Sequence, residues 1–159
     1  VAGILWHKGE RAFIDVFLGG ASTPYGGSPV LVPAAAGNWG LGLGTRVGGV
    51  GTNKADTMAQ ILEVGTAPSG AHGYSRKSIA RSSGGWPAAA LFAGSYQSVA
   101  AQKTFTFTGA PDPNGATLWF IAGSTTLNDD NCLFGADLDS TRTFGNGDSE
   151  LVTPAYQQS

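Results

Sequence analysis

Between Lys103 and Thr108 every second side chain is a phenylalanine: Phe105 and Phe107 fall on one face and the threonines on the other. That two-residue period predicts a strand with its aromatic face inward. The segment from Trp39 to Thr45 alternates as well, but with glycine at every second position. One of its faces carries large apolar groups, and the other lets something pack close to the backbone. Leu118-Trp119-Phe120-Ile121 is a nearly unbroken apolar run, with Trp39 and Trp119 the natural core tryptophans. Further strands are expected at Val30–Val32, Tyr74–Ala80, Tyr96–Ala100, Thr117–Ala122, Cys132–Ala136 and Glu150–Tyr156.

Two segments carry the helical period instead. Ala12, Phe13, Val16 and Phe17 recur at three- and four-residue spacing within Lys8–Leu18, and Gly19-Gly20 supplies a stop. Met58, Ile61 and Leu62 line one side of a second short helix over Ala55–Val64. Turn chemistry separates the elements: residues 20–29, 48–52 and 65–73, then Ala110–Gly115, then Phe144–Asp148, where Asn146-Gly147 suits positive φ. The expected fold is mainly β, an antiparallel β-sandwich or barrel with one or two short peripheral helices. It forms one domain over 1–159, with 1–29 as a helix-plus-loop arm.

Composition sharpens this. Gly occurs 25 times and charged residues make up only 13% of the 159 positions, against an ordinary quarter. A charged helical bundle, a coiled coil and a solvated tail are disfavoured. The net charge of −2 gives no field to gather nucleic acid, although eight bases and four acids lie in 1–110 and one base and seven acids in 111–159. Cys132 is the single cysteine, so no intrachain disulfide forms, and its apolar context reads as a buried thiol. No apolar run approaches a membrane span, and the first residues lack the basic leader of a signal peptide. The chain reads as a protein assembled in a reducing cytoplasm.

Tests for chemistry return little. His7 and His72 stand apart, so surface or capping roles outweigh metal ligation. Asn128–Asn131, with Asp137 and Asp139 after it, is the only oxygen-rich stretch, and its spacing matches no EF-hand. Val47 replaces the third glycine of a dinucleotide fingerprint begun by Gly42 and Gly44, and no Gly-Lys-Ser/Thr occurs. No Gly-x-Ser-x-Gly is present. These observations predict no catalytic residue, no metal and no cofactor. Arg76, Lys77 and Arg81 form one basic patch beside Tyr74, which could meet an acidic partner or simply guard a strand edge. Trp86, in Gly84-Gly85-Trp86-Pro87, is the tryptophan expected to be exposed and to serve as a contact residue.

Taken in order, several segments resemble a family of small virion proteins of tailed bacteriophages. They are Lys8–Leu18, Gly40–Leu43, Ala55–Glu63, Gly73–Lys77, Phe105–Phe107, Leu118–Ala122, Leu133, Thr141–Thr143 and Gly147–Leu151. Together they span most of the chain, and the Ala- and Gly-rich stretch 84–94 departs from the family pattern. The resemblance implies a β-sandwich structural protein without enzymatic activity. Its implied role is capsid decoration or cement, bound to the outer surface of the major capsid protein shell and stabilising it. The partners implied are that protein and further copies of this chain, as a trimer, with neither nucleic acid nor membrane. Its place would be the virion surface after assembly in the host cytoplasm. The alternative is a tail or tail-fibre component that contacts a receptor or glycan. In the capsid role Trp6, Tyr25, Arg76, Lys77 and Trp86 are the expected interface residues, and in the tail role Trp86 is the expected glycan contact.

Overall fold

A computed structural model of the chain describes residues 37–47, 60–65, 72–108, 115–126 and 132–157. The arm 1–29, the helix at 8–18, the strand at 30–32, most of the turn at 110–115 and the Asn128–Asn131 stretch lie outside the described residues, as does the side chain of Cys132. Among the described residues ten strands are formed: β1 (Asn38–Arg46), β2 (Ile61–Glu63), β3 (Lys77–Ala80), β4 (Ala90–Phe92), β5 (Ser95–Val99), β6 (Lys103–Thr106), β7 (Ala116–Ala122), β8 (Cys132–Arg142), β9 (Ser149–Val152) and β10 (Ala155–Gln157). The fold is mainly β and sandwich-like, and every pairing with a defined register is antiparallel. Among the described residues no helix is long and apolar enough to cross a membrane.

The described residues fall into two compact units, one of 38–78 and 102–152, the other of 79–101 and 153–157 with Gly37. The larger unit is built on a sheet of order β2-β1-β7-β8. At its centre Leu41 faces Ile121 and Leu43 faces Trp119 across the β1–β7 ladder. These four side chains share one buried face, with Trp39 also buried. On the opposite face Gly42 pairs with Phe120, and a Cβ on Gly42 would run into the Phe120 ring. Glycine stands there because an aromatic ring from the neighbouring strand lies flat over the backbone. Phe120 then packs with Leu118, Ala122 and Ile61. β7 is buried on both faces, which is why its sequence is apolar without alternation.

β6 and β9 form a separate two-stranded ribbon, with Thr104 opposite Leu151 and Phe105 opposite Glu150. The predicted inward face holds: Phe105 and Phe107 are buried, and the threonines at 104 and 106 are exposed. Phe107 stacks on Phe144 with ring centroids 3.9 Å apart, and Tyr74 stacks on Phe105 at 5.7 Å. The turn at 145–148 is fastened to this ribbon, since Gly147 N donates to Phe107 O and Phe107 N donates to Asp148 O. Gly147 takes the left-handed conformation at φ 88°.

The smaller unit has a three-stranded sheet of order β10-β5-β4. β4 and β5 make a hairpin in which Phe92 faces Ser95 across a two-residue turn. Both turn residues, Ala93 (φ 49°) and Gly94 (φ 89°), are left-handed, the geometry that matches strand twist in a tight hairpin.

Several expectations change. Ile61–Glu63 is a strand, not the end of a helix: it pairs with β1, Glu63 opposite Gly44 and Ile61 opposite Arg46. The open edge of β1 and the burial of Ile61 and Glu63 outweigh a helical spacing that rests on few residues; residues 55–59 of that segment are not described. The expected strand at Glu150–Tyr156 is two strands, β9 and β10, separated at Thr153-Pro154, where proline has no N–H for a ladder. The strand expected at Cys132–Ala136 runs on to Arg142.

Candidate functional site

The most organised polar cluster lies in the larger unit. β2 carries Glu63, and the extended segment before β3 carries Tyr74 and Arg76. All three are buried. Arg76 grips Glu63 with two parallel bonds, Nε to Oε1 at 2.7 Å and Nη2 to Oε2 at 2.8 Å. Its Nη1 donates to the carbonyl of Ser124 at 3.1 Å. The guanidinium lies 5.3 Å from the centroid of the Phe120 ring, the same ring that the glycine face of β1 admits. Tyr74 closes the cluster: its hydroxyl donates to Glu63 Oε1 at 3.0 Å and accepts the backbone N–H of Leu43 at 2.9 Å. Burial, and then the Glu63 charge, push the Tyr74 hydroxyl well above its ordinary pKa of 10.0. The Glu63 side chain thus accepts from both a bidentate guanidinium and a phenol. Its role is to tie β2, β1, the 74–76 segment and Ser124 together.

A second feature is the β4–β5 hairpin. Leu91 and Phe92 are 60% and 59% exposed, and Val99 on β5 is 41% exposed. From Ser82 to Gln102 the sequence contains no charged residue. A sheet edge of this kind normally carries lysine or proline to discourage pairing.

Of the five residues singled out from the sequence, the three described ones do not form an exposed patch. Trp6 and Tyr25 lie outside the described residues. Arg76 is buried against Glu63, not solvated, because a paired carboxylate on β2 lies within reach of its guanidinium. Lys77 is half-buried, with its ammonium 5.6 Å from the centroid of the Phe105 ring. Trp86 is buried at 1% exposure. A turn draws it in: the N–H groups of Gly85 and Trp86 both donate to Ser82 O, and Gly85 packs against the Ala80 backbone so closely that no side chain would fit. The buried Ser98 hydroxyl, donating to Pro87 O at 2.6 Å, holds the next residue to β5.

The polar remainder is dispersed. His72 sits half-buried in a left-handed turn, its carbonyl accepting from Thr108 N. Asp137 and Asp139 are exposed on β8, and Asp139 pairs with Arg142 at 2.9 Å. Among the described residues no three His, Cys, Asp or Glu side chains are grouped to hold a metal ion. Sequence reasoning missed Glu63, Leu91 and Phe92. The uncharged run from Ser82 to Gln102 was the available signal for the hairpin. Comparisons with family models, with curated proteins and with solved structures found no match.

Proposed function

We propose that this chain is a structural protein of a tailed-bacteriophage virion, a decoration protein that binds the outer surface of the major capsid protein shell and stabilises it. The observation that carries the reading is the β4–β5 hairpin, an uncharged strand edge with Leu91 and Phe92 open to solvent. Apolar surface presented this way favours contact with another protein. The mechanism is mass action: a protein that binds only the assembled shell lowers the free energy of that state, in proportion to the logarithm of its concentration over Kd.

The test is to purify virions that lack the protein, add it back, and image the particles by cryo-electron microscopy with the protein labelled. Added protein should saturate symmetry-related sites on the shell and raise the temperature at which the heads release DNA. Label confined to the tail refutes shell binding and favours a tail or fibre component. No label on any particle refutes the virion reading altogether.

A further inference from the structure

The β4 edge shows how one copy of the chain can meet another. In a hairpin closed by a two-residue turn, the residues flanking the turn exchange hydrogen bonds with each other. Phe92 and Ser95 flank Ala93-Gly94 here, and Ala90 faces Gln97 two residues further on. The main-chain groups of Ala90 and Phe92 therefore turn inward to β5. A side chain from the far strand agrees with this, since Gln157 Nε2 on β10 reaches Phe92 O at 3.4 Å. Leu91, the residue between them, faces Tyr96 as the alternate, non-bonded pair. Its N–H and C=O both point away from β5, out of an edge that pairs with no further strand among the described residues.

An edge whose middle residue presents one donor and one acceptor is complementary to itself when turned end for end. We infer that two copies of the chain join by antiparallel pairing of their β4 strands about a two-fold axis at Leu91. Each Leu91 N–H donates to the Leu91 C=O of the other copy, and the two three-stranded sheets become one of six. Ala90 of each copy then stands opposite Phe92 of the other. The absence of charge from Ser82 to Gln102 is what admits an identical strand, because any charged residue at the axis would meet its own like. A two-fold contact closes at two copies, not at the three that the resemblance implied. The inference concerns the same β4 edge that carries the shell-binding reading; a chain that stays monomeric overturns it and leaves that edge to the shell.

Sedimentation equilibrium and amide hydrogen exchange on the full chain, measured from micromolar to about 1 mM, test it. A three-residue strand buries less than a stable interface needs, so association is expected only toward the upper end of that range. The weight-average mass should rise toward twice that of the chain. The Leu91 amide should exchange more slowly as concentration rises, while the Phe92 amide, already bonded to β5, stays constant. Ala90→Lys with Phe92→Lys should hold the protein monomeric at every concentration, with an unchanged circular dichroism spectrum because both sites are exposed. Leu91→Pro, which removes the outward N–H and leaves the β4–β5 ladder intact, gives an independent second variant. A chain that stays monomeric throughout, a limiting mass other than two copies, or association undiminished in both folded variants overturns the inference.

Discussion

Replacing Arg76 with methionine is the sharpest probe of how the larger unit is held together. Methionine keeps most of the apolar stem over Phe120 but deletes three charge-assisted bonds, two to Glu63 and one to Ser124 O. The Glu63 carboxylate, 2% exposed as a residue, then loses its counter-ion without gaining water. Removing one partner of a buried ion pair typically costs about 3–5 kcal/mol, a large share of the roughly 5–15 kcal/mol that a domain has in total. Replacing Glu63 with methionine as well removes the orphaned charge, so the double variant should be more stable than Arg76→Met alone. It should not return to wild type. The Tyr74 hydroxyl would still lack its acceptor, at about 1–3 kcal/mol for a buried group left unpaired. Urea unfolding followed by circular dichroism reads this directly, as a midpoint shift at constant slope. A loss below about 1 kcal/mol in Arg76→Met, or a double variant worse than that single one, would falsify the account of Glu63 as a buried carboxylate held by its guanidinium.

Three further outcomes are expected. The Tyr74 hydroxyl is raised by burial and by Glu63, so the folded state holds that proton more tightly than the unfolded chain does. Its contribution to stability is fully present below pH 10, the unfolded value, and fades as pH climbs through the raised value; urea midpoints measured from pH 7 to 11.5 should fall at the alkaline end, and less steeply in Tyr74→Phe. Gly42→Ala would push a Cβ into the Phe120 ring, which Arg76 covers, and should cost about 1–3 kcal/mol by thermal or urea unfolding; an unchanged midpoint would mean the ring is free to move. Ala93 is held at φ 49°, so Ala93→Asn, which tolerates that conformation, should stabilise the smaller unit by about 1 kcal/mol. Slower amide exchange across β5 would register that gain, and faster exchange would contradict the turn geometry.

Strand periodicity was readable wherever one face is buried and the other wet. Phe105 and Phe107 announced their face, and the glycines between Leu41 and Leu43 announced a close approach, though not that Phe120 makes it. What could not be read were features decided by partners far along the chain. Ile61-Leu62-Glu63 looks helical until the edge of β1 is present to pair with it. Arg76 looks like a surface cation until Glu63, thirteen residues earlier, is placed beside it. Trp86 sits among glycines that suggest an exposed loop, yet the same glycines form the turn that folds its ring inward. Leu91 and Phe92 gave no alternation at all, and only the missing charges around them marked the stretch as unusual.

The pairing of β1 with β7 also sets a timetable. Gly44 finds its partner at Leu118, and the ladder between them leads on to β8. A nascent chain therefore carries β1, with Leu41 and Leu43, through about 75 further residues before the strand that pairs with it has emerged. Sheets closed by such distant segments fold slowly and are prone to sticking while they wait. Yield in the producing cell should thus respond to temperature and to chaperone supply more than the stability of the finished protein would suggest, because the hazard lies in the interval before β7 arrives.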